Sequence, residues 1–415
     1  MRNGSPFFDN HKQSQMHIAT FASSGLDTRT CILAVLAEVM AERQRAPDFL
    51  TVHYSANHDA ALLRDAVLDF CKGRAFMGSS SCCGVMTEKS LLIGDEGGIA
   101  AFAIWNDEGD CGSASAPLGK DPAADAARLA QSALERAGRP GEMPDLVWIS
   151  AAPGQEEQVL KGLREAFGER ALIVGGSSAD NDGSGAWSQF GPDSVHGFGL
   201  AVSVIFSRGM VSSIYHSGYV ETAEQGRITR AEGRRLYEID DRPAAQVYSE
   251  WTGLKLPELD GRDSVSILAE ATFFPIGHKA GTIASLPFYL LAHPAAVRAD
   301  GSLDLFAAVA EGKEIHCMQG TPASLTQRAG RMSGLVSSSL SLQNVSMVGS
   351  LIVYCGGCML GIRDNMEEVR QNILSQMDGQ PFLCVFSFGE QGNVHGKGTQ
   401  HGNLMISCVG FSDRN

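Results

Sequence analysis

Residues 353–377, VYCGGCMLGIRDNMEEVRQNILSQM, carry the pattern from which the rest of the chain is read. An apolar, strand-like run ends at Cys355. Two glycines give the backbone the freedom of a tight turn, and Cys358 opens a polar stretch with helical spacing. Strand, turn and helix in that order make an α/β element whose turn holds two thiols. Thiols three positions apart serve as a redox pair, as half of a metal site, or as small residues lining a ligand pocket. No second CxxC follows, so a structural zinc site is one pair short.

The same rhythm extends outward. Residues 16–20 read as a strand, and 28–44 as a helix with Ile32, Leu36 and Val39 at helical spacing. Residues 49–54 form the next strand and 58–72 the next helix. Alternation continues through 98–105, 122–137, 146–150, 156–167 and 171–174, and becomes hairpin-like over 197–206 and 210–216. Further on, 231–236, 243–252 and 321–342 read as helices, and 349–355, 382–388 and 403–411 as strands. A chain of 415 residues exceeds one ordinary core. The expected class is α+β: two adjoining mixed α/β domains with β-sheets flanked by helices, over 16–220 and 221–415, after a flexible lead at 1–15.

Composition excludes several functions. Apolar content of 44% and charged content of 19% describe a globular chain. The 33 basic against 47 acidic residues give a net charge of −14, which disfavours phosphate backbones and anionic membranes, and no basic stripe offsets it. Nucleic-acid binding is not expected. The segment 266–293 is apolar only in pieces, broken by Glu270, Pro275, His278 and Lys279, and falls short of the roughly 20 apolar residues of a membrane helix. The start of the chain does not resemble a signal peptide. Ten scattered cysteines in apolar or glycine-rich settings suit free thiols in a reducing, cytoplasmic compartment.

Four strings, taken in order, resemble the FIST signalling proteins: GGSSAD at 175–180, YHSGYV at 215–220, CGGCMLGI at 355–362 and PFLCVFSFGEQG at 381–392. The resemblance spans about residues 49–408 and implies adjoining FIST N and FIST C domains. It implies a ligand-sensing module, with amino acids among the ligands proposed for the family. CGGCML is similar to a haem-binding branch implicated in nitric-oxide sensing, which works with separate histidine kinases or cyclic-dinucleotide enzymes. The expectation is thus a non-enzymatic intracellular sensor that binds haem, senses nitric oxide and signals through a partner in trans. A small-metabolite sensor without haem is the alternative, as is a thiol-based redox switch or oxidoreductase. A homodimer is compatible with the sequence but not specified by it.

Each candidate residue has a structural reading beside its functional one. Gly176, Ser177, Ser178 and Asp180 offer donors and backbone freedom for a polar ligand, or a tight turn; the P-loop ending is missing. His216, at the expected domain junction, is the candidate haem axial ligand, or else a hydrogen-bonded residue at a strand end. His401, in a glycine-rich turn, matches a histidine-containing closing motif that the resemblance implies; it lines a pocket or sits in a surface turn. His53, His58, His196, His278, His293, His316 and His395 are open to similar readings. Cys355 and Cys358 are candidates for haem ligation, reversible oxidation or plain packing, and Cys82 and Cys83 could face the same cavity. Glu390, just past a strand, closes a pocket or caps a turn. Arg363 and Glu367 read as an i, i+4 ion pair in solvent. No GxSxG elbow supports a hydrolase.

Overall fold

The computed structural model describes residues 16–283, 286–394 and 396–413; the expected lead at 1–15 and His395 lie outside them. The first unit runs β1 (His17–Ser24), α1 (Thr28–Arg43), β2 (Phe49–Ser55), α2 (Ala60–Cys71), β3 (Ala75–Ser81), the hairpin β4 (Gly84–Thr87) and β5 (Leu91–Ile93), then β6 (Gly98–Trp105). Asp27 and Asp59 start the two helices, their carboxylates accepting N–H groups of the first turn. The run FLTVHYS of β2 is buried throughout, because it pairs with β3 in parallel between two packed layers.

This plan recurs twice. The second unit is β7 (Asp110–Pro117), α3 (Pro122–Arg136), β8 (Leu146–Ala151), α4 (Glu156–Phe167), β9 (Ile173–Ser177), the hairpin β10 (Gln189–Phe190) and β11 (Val195–His196), and β12 (Gly199–Phe206). The third begins with β13 (Val211–His216) and resumes after an insert. The insert holds β14 (Val220–Glu232), β15 (Arg235–Ile239), β16 (Arg242–Pro243), α5 (Ala244–Thr252), β17 (Ser264–Ser266), α6 (Leu268–Ala271), β18 (Ile276–Ile283), β19 (Leu286–Ala292), β20 (Pro294–Arg298), β21 (Leu303–Leu305) and β22 (Glu314–Gln319). Then come α7 (Pro322–Ser341), β23 (Met347–Cys355), α8 (Gly356–Gly361), α9 (Met366–Gln376), β24 (Phe382–Ser387), the hairpin β25 (Glu390–Val394) and β26 (Gly398–Gly402), and β27 (Ile406–Ser412).

The strand orders are β1-β6-β2-β3, β7-β12-β8-β9 and β13-β27-β23-β24, one pattern three times. Each sheet is completed by a neighbour's hairpin. The second unit's β10–β11 extends the first sheet at β3, the third unit's β25–β26 extends the second at β9, and the first unit's β4–β5 extends the third at β24. The exchange closes a ring with pseudo-threefold character. One face of every sheet meets a shared core that includes Phe49, Phe102, Trp148, Ile205, Val353 and Phe411. The other face carries its own helices: α1 and α2, α3 and α4, α7 and α9.

The expected class holds. An N-terminal part with two mixed sheets adjoins a C-terminal part with the third sheet and the insert, and helices flank the sheets. One element differs: residues 231–236, read as helix, form the end of β14, a turn and the start of β15. Gly233, at φ 56°, turns the chain there, and Leu236 and Ile239 pack into the insert's own core. Among the described residues no helix is long and apolar enough to cross a membrane.

Candidate functional site

Three places gather polar side chains. The first lies where the sheet ends converge. Three serines near the sheet ends, Ser80, Ser177 and Ser387, oppose Tyr54, Ala151 and Cys355 on the preceding parallel strands. All three serines line a cavity of only about 10 Å³, together with His53, Ser79 and Ser150. That space suits about one water. His53 is held between Thr51 Oγ1 and Ser79 Oγ, each at 3.0 Å, and Ser150 Oγ donates to Ser79 Oγ at 3.0 Å. Burial pushes the His53 pKa down to about 3, so the ring is neutral. The axis is a closed, neutral polar plug.

The GGSSAD string radiates from this plug. A Cβ on Gly176 would stand 2.8 Å from Ser387 Cβ and from Val353 Cγ1, so the glycine permits the close approach of the second and third sheets. Ser178 Oγ donates to Gln189 Oε1 at 2.8 Å. Asp180 accepts the N–H groups of Gly183, Gly185 and Ala186, which closes the following loop. Only Ser177 leads outward.

Its hydroxyl donates to Glu156 Oε1 at 2.7 Å, and Gln391 Nε2 reaches both Ser177 Oγ at 3.3 Å and His401 Nδ1 at 3.2 Å. Arg234 of the insert binds Glu156 at 2.5 Å and Glu157 at 2.7 Å. Burial opposes ionisation of both carboxyls. The charges of His401 and Arg234, with hydrogen bonds, outweigh it and hold them below the ordinary carboxylate value. Beside this network a cleft of about 200 Å³ separates the insert from the second and third units. Glu157, Leu160, Arg164, Gln400 and His401 line one side, and His278, Leu290–Ala292, Ala307 and Ala308 the other. Thus Ser177 and His401, 224 positions apart in sequence (401 minus 177), meet through Gln391 at the edge of one cleft.

The third place surrounds the cysteine pair. Cys355 occupies the N-cap position of α8 and Cys358 lies within its first turn. Arg328 of α7 is fully buried and packs its guanidinium 4.5 Å from the centre of the Tyr354 ring. Its Nη1 donates to Ser217 O at 2.6 Å and Leu404 O at 2.7 Å, while Nε and Nη2 have no hydrogen-bond partner among the described residues. Tyr219 Oη lies 2.7 Å from Thr272 O and 3.4 Å from Cys358 Sγ. Burial and the neighbouring Cys358 drive the Cys355 thiol well up. Burial also opposes ionisation of Cys358, but the bond from Cys355, the Arg328 charge and the bond from Tyr219 bring it down to about 6. Glu390 is buried here too. Its oxygens accept from Ser387 Oγ at 2.7 Å and Met405 N at 2.9 Å, and burial raises it well above the ordinary carboxylate value despite those bonds.

His216 stands edge-on to Phe288. Its Nδ1 accepts the Gly218 N–H at 3.0 Å, which places the proton of the neutral ring on Nε2. A metal-bound imidazole shows the reverse, its second nitrogen donating outward. As arranged, His216 does not fit an axial ligand. His401 is committed at both nitrogens, to Gln391 and, at 3.4 Å, to Phe306 O. Among the described residues no group of three or more His, Cys, Asp or Glu side chains is placed to hold a metal ion. Cys82 packs against Gly356, so the two cysteine pairs share one core, though Cys83 turns toward Asn181. The expected Arg363–Glu367 pair does not form: Arg363 belongs to a separate 3-10 turn (Arg363–Asn365) and Glu367 binds Arg370.

Sequence reading overlooked Arg328, Arg234, Glu156 and Gln391. For Arg328 a signal existed. Leu325, Ala329, Met332 and Val336 mark the buried stripe of α7, and position 328 falls within it. A charge at a core position of an amphipathic helix is a functional pointer in its own right.

Comparison with known families matches residues 48–242 to the FIST N domain and residues 244–393 to the FIST C domain. No curated protein matches the chain. Among solved structures, a cyanuric acid hydrolase from A. caulinodans aligns at 8% identity and a TM-score of 0.34, over 95% of this chain and 99% of that one. T. maritima PurL complexed with AMPPCP aligns at 10% identity and a TM-score of 0.22, over 96% and 73%. Likenesses at those scores carry no functional weight.

Proposed function

The chain belongs to the FIST family of ligand-sensing modules, and we propose that it senses a small zwitterionic metabolite of the amino-acid kind, bound in the cleft between the insert and the second and third units. The observation that carries this reading is the cleft's lining. Glu157 and Arg164 stand two turns apart on α4, about 10 Å along the helix axis, with His278 and His401 beside them and Leu160, Leu290 and Leu291 as the apolar floor. Such a site brackets a molecule that carries both charges on a short apolar body. Its volume of about 200 Å³ lies under the roughly 300–1,000 Å³ typical of drug-sized ligands.

Signalling follows from position. Arg234 ties the insert to Glu156 and Glu157 at the cleft's edge. A ligand ammonium that competes for Glu157 loosens that tie and shifts the population of insert arrangements. The changed surface is read by a separate cytoplasmic partner, a histidine kinase or cyclic-dinucleotide enzyme on the family resemblance. Thermal denaturation against a panel of amino acids tests the reading. A true ligand at a hundred times its Kd adds about 2.7 kcal/mol of stability, and Glu157→Gln or Arg164→Met removes the effect. A panel with no stabilising member, or variants that bind like the parent, would overturn it.

A haem-bound sensor of nitric oxide is the narrower reading. It is supported by the CGGCML resemblance, and it requires His216 to exchange the Gly218 contact for the opposite tautomer. An anaerobic titration showing saturable one-to-one haem uptake, a nitric-oxide-dependent Soret shift, and loss of both in His216→Ala would establish it. Nonsaturable uptake would leave the metabolite sensor.

A further inference from the structure

We propose that Arg328 and Cys358 form a buried guanidinium–thiolate pair, and that Cys358 is a site of oxidation by small hydroperoxides with Cys355 as the resolving thiol. This site is separate from the cleft and stands without it.

The inference starts from charge balance. A guanidinium stays protonated in proteins, and a buried charge without a counter-charge is costly. Arg328 is fully buried, its two carbonyl partners are neutral, and Nε and Nη2 remain unpartnered. The groups that face it are His216 on β13, Tyr219 from the loop after β13, Tyr354 and Cys355 on β23, Cys358 on α8, Cys384 on β24 and Glu390 on β25. Burial and the Arg328 charge lower His216, and burial raises Cys384, so neither supplies the anion. Burial raises both phenols, so they stay neutral. Cys355 is raised as well. Glu390 already takes two hydrogen bonds, from Ser387 and Met405, and is raised. Cys358 is left as the anion: it touches Tyr219, is in hydrogen-bond contact with Cys355, and lies against Arg328.

A thiolate is the reactive form of cysteine. Cys358 is fully buried, and Gly357 beside it is the point nearest solvent. Gly357 is partly exposed, and a Cβ there would stand 3.6 Å from His293 Cε1 and 3.7 Å from Cys355 Sγ. Only a small oxidant passes. In the first step the Cys358 sulfur attacks one peroxide oxygen; the S–O bond forms, the O–O bond breaks, and the leaving alkoxide or hydroxide takes a proton from solvent. Sulfur loses two electrons to the peroxide and becomes a sulfenic acid. Cys355 then gives up its proton, and its sulfur displaces hydroxide from the Cys358 sulfur. The S–S bond forms and water leaves. Disulfide formation removes the anion that balances Arg328, whose other bonds hold Ser217 and Leu404. Oxidation is thereby coupled to the join between β13 and the insert.

The test uses the full chain. Thiolate ultraviolet absorbance is followed against pH in a Cys83→Ser parent, because the Cys83 thiol is itself lowered to about 7, and in the same background with Cys355→Ser, Cys358→Ser or Glu390→Gln. One thiolate titrating near pH 6 in the parent and Cys355→Ser, and absent in Cys358→Ser, is the expected result. Hydrogen peroxide should then join Cys355 to Cys358, as read by peptide mass. At pH 7 the reaction should be about tenfold slower in Arg328→Met if loss of the guanidinium raises the thiol from about 6 to about 8, which cuts the thiolate fraction about tenfold, and slower in Gly357→Ala, whose methyl narrows the approach. Where Arg328→Met does not fold, the serine pair decides. A parent without a thiolate below about pH 8, or a titration abolished by Cys355→Ser alone, overturns the proposal; the first outcome makes Glu390 the counter-ion of Arg328.

Discussion

The plug on the pseudo-threefold axis and the cysteine–arginine pocket of the third unit bury polar groups to the same depth, yet they differ in kind. On the axis, Thr51, His53, Ser79 and Ser150 satisfy one another and carry no net charge. In the third unit a guanidinium retains two unpartnered N–H groups beside two thiols and a carboxyl. A neutral network is what a packed junction of three sheets tolerates, even with the uncharged Trp148 Nε1 unpartnered beside it. An incompletely satisfied charge has a cost that folding alone does not repay, and that marks the third unit as the place where chemistry was accommodated.

The largest expected effect breaks the ring of exchanged hairpins. Phe190 on β10 is fully buried against Tyr54 and Phe76 of the first unit. Phe190→Ala should cost about 3–5 kcal/mol in denaturant unfolding. A loss under about 1 kcal/mol would show that the exchange contributes little to stability. Next comes acid. His53 is neutral when folded, with its pKa lowered from 6.5 to about 3. The unfolded chain therefore binds the extra proton first, and stability falls as pH drops from 6.5 toward 3 by on the order of 5 kcal/mol. His53→Gln should flatten that limb of the pH–stability curve. Cys358, lowered from 9.0 to about 6, acts in another window: its contribution is fully present above pH 9 and is lost as pH falls to 6. Cys358→Ser should flatten that window alone, so the two variants separate the regions. Removing the insert's tie with Arg234→Met should cost about 1.5–3 kcal/mol, with amide exchange rising in the insert and not on the axis.

Much of the local structure was legible. Residues 156–167 were read as the helix that α4 forms, and strands 49–54 and 98–105 were placed within a residue of β2 and β6. Apolar periodicity carries such elements. The threefold repeat was not legible, because its copies share a strand order and not residues. The exchanged hairpins were also hidden: β10 and β11 are two residues each, too short for any period, and β10 pairs with a strand more than 100 positions away. Residues 231–236 misled because Ala, Glu, Arg and Leu favour helix locally while Gly233 and the strand partners decide otherwise. At the site, CGGC announced itself, whereas its charge partner Arg328 sits 27 positions before Cys355 (355 minus 328) on another element.

The smallest expected effect sharpens the contrast between regions. Glu367 and Arg370 form the ion pair on α9 that local spacing makes easy to see, with Glu367 55% and Arg370 15% exposed. Water already solvates the carboxylate, and neighbouring side chains must be ordered to hold the geometry, so Glu367→Gln should change stability by no more than about 0.5 kcal/mol. That change should shrink further in high salt, since an exposed pair is screened. The Arg328–Cys358 pair is invisible to local spacing and shielded from solvent, so its pH dependence should persist at the same ionic strength. A salt titration of both variants measures this directly. If salt erased the Cys358 window as readily as the Glu367 increment, the third unit's charge would be solvated, and its distinction from the neutral axis would disappear.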